Sequence, residues 1–532
     1  MTKGWEGERL AVRQFWADLD HRPSLPEASP QELEEHARQV ARVQDALSMI
    51  AEMPASKRPS VGRWDDVLHP LWRRLFAKGD DVDRYILADL WCPVLQQAGE
   101  AERYIRSCTA VAASARNFYL FDEALDYCLR ARLAAGPESS AALANCINTE
   151  GMTHLCRKDY DSAESSYREA LALAEGLSDR ELRRWTGLSK ADFLAQGLSN
   201  ILDARLRKGQ NLTGAEQARL LPSTLEISRQ LDQMPMSTGF QQIVRHYGAE
   251  RAILDGRLED AKRQLSGLLE EAGTLKPYQV SLVTMHWRVL SYVAQLEGDW
   301  KSAYHWIRLA LREGVRHSYP SEEQFVLEQA LAILRGLHGA KESRTREALV
   351  QDLVQLMEDK DWYTGRSHSR SVSRLALRLG EVLAQRFRWK VDFDTLRLGG
   401  LLHDIGKLRI PWSLLNKIAP ITPREMRLLR EHSRHGGELL RAIDMAEVAA
   451  VVEQHHETLD GSGYPLGKPP LPLAAIVAVC DVYEATITPN RRYKQPKDRS
   501  VALMELKEGA GRLYDPSVVD ALIHYVRRDR NT

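Results

Sequence analysis

The stretch Leu401-Leu402-His403-Asp404-Ile405-Gly406-Lys407 sets a histidine and an aspartate side by side at the end of an apolar run. A carboxylate buried there without a partner would be expensive to keep charged. A metal removes the difficulty, because the carboxylate and a neutral imidazole both become ligands and the cation compensates the charge. Standing alone, the dipeptide would read more simply as a pair capping a helix, so its surroundings decide.

Working outward, His368 in Ser367-His368-Ser369-Arg370-Ser371-Val372 lies one turn before Val372, Leu375 and Leu379 on a helix-spaced apolar stripe. His432 shares a stripe with Leu428, Gly436, Leu439 and Ile443, and His455 follows Val448, Val451 and Val452 at the same spacing. Asp481 closes the run Ala474-Ala475-Ile476-Val477-Ala478-Val479-Cys480, which is apolar on every side of a helix and therefore buried. One inward histidine is usually a satisfied core residue. Several of them, with two buried aspartates on separate helices, exceed what hydrogen bonds alone can satisfy, and metal ligation is the better explanation.

These residues fall within Glu431-His432-Ser433-Arg434-His435-Gly436, within His455-His456-Glu457-Thr458-Leu459-Asp460-Gly461-Ser462-Gly463-Tyr464-Pro465, and within Cys480-Asp481-Val482-Tyr483-Glu484-Ala485 followed by Arg491-Arg492-Tyr493-Lys494. In motif, order and spacing, residues 350–525 resemble the HD-GYP domains, a branch of the HD superfamily of metal-dependent phosphohydrolases. The resemblance implies a two-metal centre of iron or manganese held by His368, His403, Asp404, His432, His455, His456 and Asp481, with Asp404 bridging. It implies Asp404 and Lys407 as catalytic residues, and Lys407, Tyr464, Arg491 and Lys494 as contacts to substrate. The implied reaction is hydrolysis of cyclic di-GMP to linear pGpG, and onward to GMP, in bacterial signalling.

The pattern has departures. Thr364 stands where some members carry a glutamate that holds a third metal, which favours two. Glu484 and Cys480 replace the usual Asp and Ala, and an extra residue among Thr486-Ile487-Thr488-Pro489-Asn490 displaces Arg491 and Lys494 along the chain. Two rivals follow: a scaffold that binds a cyclic dinucleotide without turning it over, and an HD hydrolase of another cyclic dinucleotide.

The rest of the chain narrows the setting. At 532 residues it exceeds what one core serves, so two or three domains are expected. The 73 basic and 73 acidic residues cancel, whereas a binder of nucleic-acid polymer needs a basic excess. A small anion needs only local cations. The first residues lack the basic-then-apolar pattern of a leader, and no stretch reaches the ~18 apolar residues of a membrane span, so a cytoplasmic protein with no membrane partner is expected. The six cysteines form no CxxC pair and read as structural thiols in a reducing compartment.

Between residues 105 and 340 the chain repeats paired helices, seen best in Asn148-Thr149-Glu150-Gly151 and Lys158-Asp159-Tyr160-Asp161-Ser162-Ala163, a segment that resembles a tetratricopeptide repeat. Ala124, Ala163, Ala261 and Ala303 mark the close approaches; the first two are 39 residues apart and the last two 42, longer than the usual period of about 34. The expected architecture is therefore all-α: an N-terminal helical region over 1–104, a tetratricopeptide-like array over 105–340, a helical linker over 341–365 and an HD-GYP domain over 366–532. Stacked helix pairs make a concave surface suited to a protein partner, the plainer alternative being a spacer. A homodimer is left open.

Overall fold

The computed structural model describes residues 2–21, 28–77, 80–136, 140–210, 214–272, 280–317, 320–339, 343–361, 367–488 and 496–529. No strand occurs among them, and the chain divides into two compact units, Met1–Val326 and Leu327–Thr532. No described helix is long and apolar enough to cross a membrane.

In the first unit, helices pack as consecutive pairs, among them Ser140–Cys156 with Tyr160–Glu175 and Val280–Leu296 with Trp300–His317. Local chemistry starts them: Asp159 precedes Tyr160–Glu175 and its carboxylate accepts the Ser162 amide, satisfying one of the donors a helix start leaves open. Ala124, Ala163, Ala261 and Ala303 are all wholly buried, as small residues between closely approaching helices must be. Trp64, Trp72 and Trp91 fill the core of the N-terminal helices, and all six cysteines are buried free thiols.

A polar network lies inside this unit. His246 Nδ1 is 2.8 Å from His286 Nδ1, and His246 Nε2 is 3.2 Å from Glu250 Oε1, which also accepts from Arg288. Only one proton fits between the two Nδ1 atoms, and burial, followed by His246, Arg245 and Arg288, holds His286 down at about 2. The unfolded chain takes up a proton below the ordinary value of 6.5 while the folded unit does not, so stability is complete above that pH and is lost as the pH falls. We expect this residue to cost ~1.4 kcal/mol per pH unit between roughly pH 6 and pH 3. Thermal melts at pH 7.5, 6.5 and 5.5 check it: the slope should flatten in His286→Gln, and an identical slope in both proteins would refute the assignment.

The second unit is built on one apolar cluster drawn from helices His368–Phe387, Phe393–Leu402, Ala446–Gln454, Pro472–Ile487, Arg499–Gly509 and Pro516–Asp529. Val372, Leu379, Ile476, Val477, Val518 and Leu522 are wholly buried in it. Helix Ser343–Lys360, expected from sequence to be a linker, buries Leu349, Val350, Leu353 and Val354 within this unit. It docks on the turn after His403: Lys360 Nζ donates to the Leu408 carbonyl at 2.7 Å, and Asn416 donates to the Lys360 carbonyl at 2.8 Å. Helix Pro423–Arg441, opened by a capping box of Thr422 and Glu425, ends before Ile443, which continues the His432 stripe only as a buried residue past the C-terminus.

Candidate metal centre

Helix Phe393–Leu402 stops at Leu402, His403 caps it, and the chain turns through the 3-10 segment Ile405–Arg409. Asp404 precedes that segment, yet its side chain accepts no capping hydrogen bond, so capping does not account for the aspartate. The turn packs directly on helix Pro423–Arg441 at Gly406, and this brings His403 and Asp404 beside His432.

Three histidines are held alike. His403 Nδ1 lies 2.9 Å from the Gly400 carbonyl, His432 Nδ1 2.7 Å from that of Leu429, and His455 Nδ1 2.6 Å from that of Val452. A carbonyl only accepts, so each ring donates from Nδ1 and, in its neutral form, turns an Nε2 lone pair inward. Their Nε2 atoms meet in a buried space. His432 Nε2 faces His455 Nε2 at 3.4 Å, two acceptors toward one another, and His403 Nε2 has no hydrogen-bond partner among the described residues. Lone pairs opposed in this way call for a cation between them.

A proton is poorly placed to be that cation. Burial, then His456 and His403, holds His455 well below the usual imidazole range; burial also lowers His432, against the pull of Asp404. Burial and then His432 bring His456 down to about 3. His403 differs: burial would lower it, but Asp404 and Asp481 outweigh that and raise it to about 9. Asp404 is depressed well below the carboxylate range, burial being overcome by Lys407 and then His403, and Asp481 is depressed by His368 and His403 against burial.

Two donor groups lie among the described residues of this unit, each with its ligand atoms within 4.8 Å of one another: His432 with His455 and His456, and His368 with His403 and Asp481. Asp404 lies between them, Oδ1 at 3.4 Å from His432 Nε2 and Oδ2 at 3.3 Å from His403 Nε2. Asp481 Oδ1 is 3.0 Å from His368 Nε2 and 3.7 Å from His403 Nε2. All seven expected ligands are therefore together, and the nitrogen and carboxylate donors suit divalent cations of the transition series.

Lys407 Nζ reaches Asp404 Oδ2 at 2.8 Å and Asp361 Oδ2 at 2.7 Å, and these partners outweigh burial to keep it charged. Tyr464 stands at the rim, its ring stacked on His456 at 4.8 Å with the Arg430 guanidinium over it at 5.0 Å. Its loop is fixed by Glu457, whose carboxylate accepts the backbone amides of Leu466, Gly467 and Lys468, and by Gly463, where a Cβ would come within 2.4 Å of the His456 carbonyl oxygen. Arg491, Lys494 and Thr364 lie outside the described residues. A cleft of about 550 Å³ opens onto the centre, lined by Asp404, Lys407, Lys417, Arg430, Tyr464 and Asp481 among others.

Asp361 and Arg430 were not legible as site residues. Asp361 ends the run Glu358-Asp359-Lys360-Asp361, which reads as a solvated helix end, and only its burial against Lys407 distinguishes it. Arg430, two residues before His432, offered no signal beyond its charge.

Residues 351–518 match the family model described as HD domain, and this part of the chain is an HD domain. Among curated proteins, a cyclic di-GMP phosphodiesterase of Thermotoga maritima is 30% identical over 221 residues, 40% of this chain and 59% of that protein. A cyclic di-GMP phosphodiesterase response regulator of Xanthomonas campestris is 35% identical over 215 residues, 39% of this chain and 55% of its own length. A cyclic di-GMP phosphodiesterase of Pseudomonas aeruginosa is 40% identical over 136 residues, 24% of this chain and 32% of its own. The chain thus spans between about a third and three-fifths of these relatives.

Proposed function

We propose that the second unit is a phosphodiesterase that hydrolyses cyclic di-GMP to linear pGpG, and onward to GMP, at a centre of two divalent cations, iron or manganese, held by His368, His403, Asp404, His432, His455, His456 and Asp481. The observation that carries this reading is the buried convergence of the His403, His432 and His455 Nε2 atoms with the Asp404 and Asp481 carboxylates, more metal-ligating atoms than the single Lys407 charge at Asp404 satisfies. The names of the relatives support the substrate. The cytoplasm, a protein partner on the 105–340 array and a second copy of the chain belong to the same reading.

Bound there, divalent cations make water a nucleophile near neutral pH and draw charge from phosphoryl oxygens. The chain's own residues supply the rest. The backbone carbonyls of Gly400, Leu429 and Val452 fix the tautomer and direction of three ligand rings, so no reorganisation accompanies binding. Lys407, kept charged by Asp361 and Asp404, donates to the phosphoryl oxygen where charge grows. Arg430, without a carboxylate partner among the described residues, adds a positive charge beside Tyr464 at the cleft wall, where a diester dianion lies. Arg491 and Lys494 are assigned to the second phosphate.

Single-turnover assay of the manganese- or iron-loaded full chain with cyclic di-GMP tests the proposal, and linear pGpG is the expected product. Substrate retained unchanged on a metal-loaded protein would leave only a binding scaffold. Competition with adenine-containing cyclic dinucleotides tests the base preference.

Asp361 carries a separate expectation. Asp361→Asn leaves Lys407 with one carboxylate instead of two, so turnover should fall by about 10- to 100-fold while metal content stays at the wild-type level. Measuring kcat beside metal stoichiometry distinguishes this from loss of the centre. An unchanged kcat would return Asp361 to a purely structural role.

A further inference from the structure

The first unit contains a second cavity whose lining is cationic and aromatic, far in character from a packing defect. It measures about 350 Å³ and is walled by five helices of that unit. Helix Ala101–Asn117 forms the floor, because Arg106, Thr109, Ala113 and Arg116 recur at i, i+3, i+7 and i+10 and so share one face. The small Ala110 and Ala113 leave space between the two arginines. Trp72 and Arg73 enter from helix Val61–Ala77, Arg84 from Asp81–Gln97 and Trp185 from Asp179–Thr186.

No acidic side chain lines the cavity among the described residues. Arg84 pairs with Asp81 at 3.2 Å, and Arg106 pairs with Asp65 while lying 4.9 Å from the Trp185 ring. Both arginines are accounted for by these ion pairs, Arg84 within its own helix and Arg106 across to helix Val61–Ala77. Arg73 and Arg116 are not: among the described residues neither has a carboxylate partner, and Arg116 donates only to the neutral Asn117 side-chain oxygen, at 2.9 and 3.2 Å. Trp72 is 1% exposed, and its indole N–H has no hydrogen-bond partner among the described residues, which is uncommon for a buried donor. His69 adds no charge, since burial and then Arg106, Arg73 and Arg84 hold it down at about 3. Two uncompensated guanidinium groups, indole walls and a volume at the lower end of small-molecule sites define the ligand.

We propose that this cavity binds a small phosphate-bearing anion with a planar ring, of mononucleotide size. Guanidinium groups provide planar donors for phosphate oxygens, and the indoles and alanines provide apolar surface for a ring. A peptide or a nucleic-acid strand is too large for it.

Calorimetric titration of the full chain, freed of metal with EDTA, uses 5′-GMP as probe, with guanosine, ribose 5-phosphate and inorganic phosphate as partial ligands. The expected result is saturable 5′-GMP binding, weakened by salt and unaltered in Asp404→Asn. Affinity should fall about 10- to 100-fold in Arg116→Ala and in Arg73→Ala. Arg73 is exposed and unpaired, so its variant remains informative should Arg116→Ala fail to fold. The proposal is overturned by absence of binding, by wild-type affinity in folded Arg73→Ala, or by binding that only Asp404→Asn removes. Equal affinity for inorganic phosphate would overturn the ring requirement.

Discussion

Asp404→Asn should reduce hydrolysis of cyclic di-GMP by about a thousandfold or more, with loss of bound metal and little change in helix content. Asp404 offers one carboxylate oxygen to each donor group, 3.4 Å from His432 Nε2 and 3.3 Å from His403 Nε2. An amide keeps its shape and removes its charge, and that charge is what offsets a cation in a site shut off from water. Removing several kcal/mol of such stabilisation corresponds to roughly a thousandfold in rate. Lys407 retains Asp361 as partner, so the variant should still fold. Metal stoichiometry and product formation are measured together. A variant that kept both would sink the bridging role and with it the proposed centre.

The second large effect is on folding. In Gly406→Ala the added Cβ would fall 1.9 Å from the His432 carbonyl oxygen and 2.5 Å from the Gly436 amide nitrogen. Both are backbone atoms of helix Pro423–Arg441, so no change of rotamer relieves the clash, and the helix itself must move away. We expect a cost of about 3 kcal/mol, which for a unit of this size lowers the melting temperature by about 6–12 °C. The displaced helix carries His432 with it, so metal affinity should fall as well. A variant with wild-type melting temperature and wild-type metal affinity would show that the turn does not depend on this approach.

These two predictions show how unevenly the site was written in the chain. His403, Asp404, His432, His455 and Asp481 were legible because each sits on an apolar stripe or run, where an ionisable group demands an explanation, and their motifs are long. The paired helices of the first unit were legible through recurring small residues such as Ala163 and Ala303. Asp361 was not legible, because a charge at the end of a charged helix looks solvated unless one knows that the Ile405–Arg409 turn covers it. Helix Ser343–Lys360 was read as a connector for a related reason: its apolar face is evident, but its partner lies some fifty residues further on.

Local periodicity determined which residues turn inward and which of them could hold a cation, since side-chain direction along a helix follows from its geometry alone. What the tertiary structure decided is which inward faces meet. Asp404 lies between two histidine groups, Lys407 lies between two carboxylates, and Arg73 and Arg116 reach one cavity from different helices. Those meetings depend on how the cores of each unit pack as a whole, a property summed over many distant contacts and carried by no single stretch of sequence.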